Sequence, residues 1–333
     1  MKIIKSLLLI LATIYCSFSF AQSSDTVYYK ILRNNPKNIN NMFVYVMPLN
    51  IDFLFSYKNI SYGFGVEYNH KDLFILGADF RRSYTENLND FFQKNHINGL
   101  YSKTGKAKEV NNFMVYELSA QYLFGGKIRT HKEKPVLDDG LSTTTYMEIK
   151  IKHYIAFALR FSYAQQQYNT TNISTSNLNF NYKAYKLESP DIIFDDLAAS
   201  TMYTLQFVSF GLGVYQKQDL KISTDSYGLK NYSMSTTYYF DVLLPISQEL
   251  SNVEVSEISN GYPISYMANV NEHTPMTNYG FRAGMKVQNV LVFRKVNAGS
   301  KVEIGFLPGP SNLTNNFFIS IGLDLNISFN TLK

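Results

Sequence analysis

A serine nucleophile needs a base within hydrogen-bond reach, and one segment of this chain carries both residue types. Between positions 146 and 164 large apolar residues alternate with small or polar ones. His153 falls on the apolar phase and Ser162 on the opposite phase. At ~3.3 Å per residue along a strand, the two lie ~30 Å apart. The pattern therefore favours a neutral interfacial histidine over a catalytic pair.

Five further residues could serve a surface hydrolase or a cation site: His96, His273, Asp191, Asp195 and Asp196. Their spacing specifies no catalytic pair. The three aspartates lack the regular oxygen-bearing positions of a calcium loop, which favours a solvated acidic turn. The chain also carries no Gly-rich phosphate loop and no paired-histidine metal motif. We therefore predict no catalytic residues, no metal site, no cofactor and no enzyme activity.

The N-terminus is typical of an export signal. Lys2 and Lys5 precede an apolar run at 3–15, and small residues at Ser19 and Ala21 suit a signal peptidase. The predicted signal peptide is 1–21. The only cysteine, Cys16, lies inside it, so the mature chain is predicted to have no disulfide and no thiolate site.

Composition narrows the class of protein further. Without Lys2 and Lys5, 29 basic residues face 26 acidic residues, a formal charge of +3 that is too small to indicate nucleic-acid binding. The 25 Phe and 26 Tyr are many for a chain of near-neutral mean hydropathy. Alternating strands with one apolar face would produce both properties, because the two faces cancel in any average.

Period-2 alternation predicts ten strands. They span 43–56, 60–69, 73–82, 113–124, 146–164, 202–215, 232–244, 281–293, 301–307 and 316–329. The first is expected to place Phe43, Tyr45 and Met47 on the outward apolar face. The sixth changes phase, which predicts a β-bulge near Val208 and Ser209. Weaker alternation at 178–182 and 262–266 could add strands or extend hairpins.

Charged residues in these strands fall on the phase opposite the apolar residues. The predicted lumen charge network comprises Asp52, Glu67, Asp79, Arg81, Glu117, Lys150, Lys152, Arg160, Asp241, Arg282, Lys286 and Asp324. Six acids and six bases in one lumen predict cross-barrel ion pairs, whereas a selective pore would carry one sign in excess. Glycines share the inward phase, as closing a narrow barrel requires.

The connections between strands are unequal in length. The long ones, at 83–112, 165–201 and 245–280, alternate with short turns and are predicted to lie outside the cell. The connection 125–145 is an exception, since it is long and assigned to the periplasmic side. Residues 22–42 are polar and turn-rich, and could be a lead-in or a lumen plug before the barrel at 43–333.

Together these features resemble a bacterial outer-membrane β-barrel protein. The resemblance covers the mature chain at the level of a class, and its terminal aromatic, Phe329, is displaced by four residues from the end. It implies an all-β, transmembrane, antiparallel up-and-down barrel of about 10 strands (range 8–14) in the outer membrane, in contact with outer-membrane lipid. Without tryptophan, the girdle candidates are Tyr45, Tyr62, Tyr68, Tyr122, Tyr163, Tyr203 and Tyr232.

Three functions stay open at this level. A barrel of eight to ten strands can be filled by its own side chains, which favours a structural or surface-interaction role through the long external loops. The loops, rich in Asn, Ser, Thr and Tyr, would meet a protein or glycan. The alternatives are a narrow channel or transporter for small solutes or lipids, and a surface hydrolase.

Overall fold

The computed structural model describes most of the chain beyond the predicted signal. The described residues are 28–37, 40–54, 57–84, 113–139, 144–174, 182–186, 189–194, 198–251, 253–259, 262–268, 276–291, 297–310 and 316–330. The chain folds into two compact units. One comprises 28–36, 128–153 and 218–233, and is called the extension; the other comprises 37–127, 154–217 and 234–333, and is called the barrel unit. Within the described residues no helix is long and apolar enough to span a membrane.

Seventeen β-strands make up the regular structure of the described residues. In chain order they are β1 (Tyr29–Asn34), β2 (Asn41–Leu54), β3 (Tyr57–His70), β4 (Phe74–Ser83), β5 (Met114–Glu133), β6 (Val136–Asp139), β7 (Thr144–Tyr146), β8 (Ile149–Ser174), β9 (Tyr182–Lys186), β10 (Ser189–Phe194), β11 (Ala198–Thr224), β12 (Gly228–Leu250), β13 (Val253–Ser259), β14 (Tyr262–Ala268), β15 (Gly280–Leu291), β16 (Asn297–Phe306) and β17 (Phe317–Asn330).

Ten of these strands form a closed antiparallel barrel in the order β2-β3-β4-β5-β8-β11-β12-β15-β16-β17. Two strand pairings complete the closed sheet. The last strand pairs with the first through twelve register positions, such as Ile321↔Ile51. β11 meets β8 through Met202↔Asn169. All ten predicted strands are present, so the predicted fold class is confirmed.

The barrel wall has an apolar outer face and a polar inner face. Outward side chains such as Phe64, Leu159 and Phe240 are more than half exposed to solvent in the isolated chain. In β17 the alternation follows the sequence prediction, with Leu323 and Leu325 exposed and Asp324 buried. A continuous belt of exposed Phe, Leu, Val, Ile and Tyr is what hydrocarbon would cover.

β2 departs from the predicted phase. The register with β3 shifts between Met47 and Asn50, so the faces exchange there. Phe43, Tyr45 and Met47 are buried inside the barrel, whereas Val44 and Val46 are exposed. The prediction that the first three face lipid is wrong, and Tyr45 is not a girdle residue. A bulge explains both observations, because one extra residue reverses every side chain beyond it.

β11 lacks the β-bulge that the sequence pattern predicts near Val208 and Ser209. Burial alternates without interruption through the predicted bulge, with Phe207 and Ser209 buried and Val208 half-buried. Tyr203 and Phe207 are fully buried inside the barrel, while Phe210 and Leu212 face outward. The predicted bulge is therefore wrong, and so is the girdle role of Tyr203. The apolar residues change face because the barrel interior itself becomes apolar at that level.

The extension has a hydrophobic interior of its own. The long connection at 125–145 is not a loop, since β5 continues to Glu133 and a hairpin of β6 and β7 follows. Its fully buried cluster consists of Leu137, Met147, Ile149, Ile151, Leu220 and Ile222. β1, which lies in the polar segment before the barrel, pairs antiparallel with the end of β11.

Two of the long connections form a joint sheet. β9 and β10 come from 165–201, β13 and β14 come from 245–280, and they pair in the order β10-β9-β14-β13. The central contact is β14 with β9, for example Met267↔Tyr185. Most of the third connection, 85–112, lies outside the described residues.

Candidate functional site

Arg282, on β15, is the centre of the largest charge cluster inside the barrel. Its Nη2 donates to Glu117 Oε1 at 2.6 Å, and its Nε donates to Asp241 Oδ2 at 2.9 Å. Its Nη1 lies 3.4 Å from Glu303 Oε1. Lys301 Nζ is 3.4 Å from Glu117 and 3.2 Å from Glu303. Four strands, β5, β12, β15 and β16, are thereby tied together across the lumen.

Arg160, on β8, adds a fifth strand to this cluster. Its Nε donates to Asp241 Oδ1 at 3.0 Å, and its guanidinium lies 3.9 Å from the centroid of the Tyr239 ring. The Tyr239 hydroxyl donates to Glu303 at 2.7 Å. The ring also covers Gly284, where a Cβ would come within 2.5 Å of it. An inward glycine therefore makes room for an inward tyrosine, which in turn stacks on an arginine.

A second cluster involves Lys286, on β15. Its Nζ is 2.6 Å from Glu67 Oε2 and 5.0 Å from the centroid of the Tyr45 ring. The Tyr45 hydroxyl donates to Asp79. Gly65 lies beneath the Tyr45 ring, and a Cβ there would come within 2.6 Å of it. The two large clusters thus repeat one arrangement of cation, tyrosine, acid and glycine.

Two smaller clusters complete the polar interior. Arg81 donates to Asp52 at 3.1 Å, and the Ser320 hydroxyl donates to the same carboxylate at 2.6 Å. Elsewhere Lys217 donates to Asp72 at 2.7 Å, with both side chains at most 5% exposed. Apart from Asp79, which accepts from the Tyr45 hydroxyl, each charge in these clusters has an opposite charge at 2.6–3.4 Å, as burial in a low-dielectric lumen requires.

The structure brings ten of the twelve predicted network residues into the interior. Asp52, Glu67, Asp79, Arg81, Glu117, Arg160, Asp241, Arg282, Lys286 and Asp324 are buried or half-buried in the barrel unit. Asp324 accepts from Asn326 Nδ2 at 2.9 Å.

The inward placement of Lys150 and Lys152 is wrong. Both are exposed, while Ile149 and Ile151 between and beside them are buried in the extension. The burial phase of β8 reverses just before Tyr154, so the same alternation has opposite meanings on the two sides of that point. The sequence pattern shows the alternation but carries no mark of the reversal.

Sequence reasoning missed four charged members of the interior: Asp72, Lys217, Lys301 and Glu303. A signal existed for the last two, because both fall on the phase opposite Val302, Ile304 and Phe306 in β16. Lys217 lies just beyond the predicted end of its strand. Asp72 lies in the turn before β4, where φ is positive at 55° and alternation gives no guidance.

A cavity of water size lies beside the charge clusters. Tyr203, Leu205 and Phe207, successive inward residues of β11, are each 0% exposed. The cavity, about 20 Å³, is lined by Arg81, Arg282 and Glu303 and by Phe113, Phe207 and Leu243. A space of that size holds about one water. The arrangement can bind water and stiffen the wall.

The residues considered for hydrolysis do not form a catalytic pair where the structure describes them. The Ser162 hydroxyl lies 2.6 Å from Ser209 Oγ and accepts from Arg282. His153 contacts Glu133 at 2.6 Å and stacks edge-on against His131. His96, His273, Asp195 and Asp196 lie outside the described residues, and Asp191 is described only by its backbone on β10.

Comparison with known proteins identifies no family for this chain. No family model matches the chain, and no curated protein matches it. Among solved structures, the outer membrane protease OmpT from Escherichia coli is 9% identical, with 92% of this chain and 98% of that chain covered and a TM-score of 0.29. OmpF from Salmonella typhi, solved with daunomycin, is 8% identical, with 90% and 100% covered and a TM-score of 0.17.

Scores this low carry no argument about the activity of this chain. The class follows from the molecule's own geometry. Ten paired strands close on themselves, the ionised residues lie within, and apolar residues face outward. This is the fold of an outer-membrane β-barrel.

Proposed function

We propose that the protein is a plugged outer-membrane barrel that presents a surface for interaction with another molecule, and that it does not conduct solutes. The single observation that carries the proposal is the filled lumen. Salt bridges centred on Arg282 span the interior, and β11 adds a row of fully buried aromatic and aliphatic residues. A barrel with a structural role can retain this interior. A conducting barrel would need these salt bridges and packed side chains to separate before a solute could pass.

The joint sheet supports the second half of the proposal. An interaction surface needs elements that hold their shape, and pairing between β14 and β9 makes the two connections support each other. By register, Ala268 lies between Val253 and Ala184, and Tyr266 lies between Val255 and Lys186. A paired sheet presents a larger and better-ordered area than two separate loops would.

The narrow-channel alternative makes a different demand on the same residues. A conducting lumen needs a continuous wet path and commonly carries one sign of charge in excess. Here both signs are paired within hydrogen-bond distance, and the cavity among the clusters admits about one water. Both features favour the plugged barrel.

Conductance in planar bilayers tests the filled lumen. We expect the purified full-length protein to show no steady single-channel steps, whereas a general porin added to the same bilayers does. Insertion is verified separately, by protease protection of the reconstituted barrel. Steady steps of uniform size from inserted protein would overturn the plugged-barrel proposal.

Single-cysteine labelling tests which side presents the joint sheet. The predicted mature chain has no cysteine, so Ser256→Cys on β13 and Ser226→Cys in the turn between β11 and β12 each provide a unique thiol. On intact cells, a membrane-impermeant maleimide should label the first variant only. The second should react only after the outer membrane is permeabilised. The reverse pattern would contradict an external sheet.

A further inference from the structure

β1 is an open edge strand in the extension. Among the described strands it pairs with β11 alone, through positions such as Tyr29↔Thr224 and Ile31↔Ile222. Four successive residues from Tyr29 to Leu32 are exposed, which means that neither face of the strand is covered there. Tyr28, just before it, is 73% exposed, and Leu32 is 48% exposed. An exposed apolar edge of this kind is a template for another strand.

The end of β1 is fixed in place by two side chains. Arg33 Nη2 donates to Asp219 Oδ1 at 2.6 Å, and that carboxylate also accepts from Ser233. The Asn34 side chain donates to Lys150 O at 3.0 Å and accepts from Lys152 N at 2.9 Å. The strand is thus held at its last two residues while its first four residues stay open. A preorganised edge lowers the ordering cost for an incoming partner.

The charge around this edge is positive. The extension carries nine Lys and Arg against six Asp and Glu, an excess of three that equals the whole predicted excess of the mature chain. Lys30 on β1 is exposed, as are Lys150 and Lys152 on β8, next to Asn34. A partner at this edge would therefore gain from acidic residues at the matching positions.

From the open edge, the uncovered apolar residues and the local positive charge, we propose that β1 docks an extended acidic segment of another protein by strand addition. The partner's backbone pairs with the free edge of β1, its apolar residues meet Tyr29 and Leu32, and its carboxylates meet Lys30 and the neighbouring lysines. This inference is independent of the joint sheet and of the filled lumen.

An anionic lipid surface is the competing occupant, and the geometry disfavours it. Lipid tails offer no partners for the backbone N–H and C=O groups of an open edge, so covering it with hydrocarbon is costly. A lipid-facing strand would also expose one face, whereas β1 exposes both. A peptide strand satisfies the edge and both faces at once.

Binding of a designed peptide tests the proposal directly. The chain has no tryptophan, so a ten-residue probe of alternating Glu and Val with one Trp reports its own anisotropy on the full-length protein in detergent micelles. We expect saturable binding. A probe with Lys in place of Glu, and a probe interrupted by two prolines, should each bind at least about tenfold more weakly. Equal binding of the proline probe, or no binding of the Glu probe, would overturn strand addition.

Matched charge variants locate the site without disturbing the fold. Lys30→Glu should weaken the Glu probe at least about tenfold, whereas Lys134→Glu, an equal charge change elsewhere on the extension, should weaken it less than about twofold. Equal losses in the two variants would mean diffuse attraction and would refute a site at β1. A Tyr28→Trp variant in brominated-lipid vesicles covers the remaining outcome, since strong quenching of this single Trp would assign the edge to lipid.

Discussion

The barrel unit and the extension bury opposite kinds of side chain. In the barrel unit the charged residues lie mainly inside and the exposed outer face is apolar, whereas in the extension isoleucines are buried and lysines exposed. β8 contains both arrangements, with Ile151 buried and Lys152 exposed before the reversal, and Arg160 buried and Leu159 exposed after it. One alternating strand therefore serves two surroundings, and the phase alone does not identify which of them an apolar face meets.

The same reversal occurs on β11. Tyr215, Lys217 and Asp219 are buried in succession, and then Leu220 and Ile222 are buried instead. A shift of one position is enough, because strand side chains alternate with a period of two. The change of phase marks where a polar interior gives way to an apolar one. We therefore expect equivalent substitutions to change the free energy of unfolding by different amounts in the two units.

The largest effect is expected from Arg282→Met, in the centre of the barrel. Arg282 is 5% exposed at its side chain, and its removal leaves Asp241, Glu117 and Glu303 without their shared cation. Breaking a buried ion pair in this way costs about 3–5 kcal/mol. Urea unfolding of the barrel refolded into lipid vesicles measures the loss. Arg82→Met is the matched control, because Arg82 is exposed.

A loss for Arg282→Met no larger than that for Arg82→Met would show that the cluster does not stabilise the barrel. The free energy of unfolding should also respond to pairing within the cluster. Adding Glu117→Gln to Arg282→Met should recover part of the loss, since one buried carboxylate is then neutral.

The next effect tests what covers the outer face. Leu159 is 54% exposed on the barrel exterior, and Leu159→Arg should cost ~2–4 kcal/mol in a bilayer if hydrocarbon surrounds it. Lys152→Leu, seven residues earlier on the same strand, should change the free energy of unfolding by less than about 0.5 kcal/mol. Vesicle unfolding curves for both variants give the comparison. If Leu159→Arg left the free energy of unfolding unchanged, hydrocarbon would not surround this part of the outer face.

These outcomes bear on how far the sequence predicts the molecule. All ten barrel strands follow from alternation, and so do the inward positions of Arg282, Asp241 and Glu117, because exclusion of charge from an apolar face leaves a regular mark. The burial of Phe43 and Phe207 does not follow, since an apolar residue is compatible with lipid or with a packed lumen. Pairing partners also stay hidden, because Glu303 and Arg160 meet the same cluster from strands far apart in the chain.

A smaller effect is expected in the interior of the extension. Ile151 is 1% exposed and packs in the cluster with Ile149 and Leu220. Ile151→Val removes one methylene from a core of soluble type, which costs about 0.5–1.5 kcal/mol. Hydrogen exchange should show faster exchange in β6 and β7, with the barrel strands unchanged. If barrel strands such as β3 exchanged equally faster, the two units would unfold as one.

The smallest effect concerns an exposed ion pair of the extension. The Lys132 ammonium, 3.0 Å from Glu148, lowers the pKa of that carboxyl through its hydrogen bond and its charge. Lys132→Met should therefore raise the pKa of Glu148 toward its ordinary value, as measured by carbon NMR of the labelled carboxyl in micelles.

The pKa of Glu148 also bears on stability. A carboxyl whose pKa is lower in the folded than in the unfolded state stabilises the folded state above the unfolded pKa, and this contribution is lost as pH falls through the folded pKa. Because both side chains are more than half exposed, water screens the pair, and the barrel's unfolding midpoint should not move at any pH. A pH-dependent shift of that midpoint in Lys132→Met would show that the extension's surface charges help to hold the barrel.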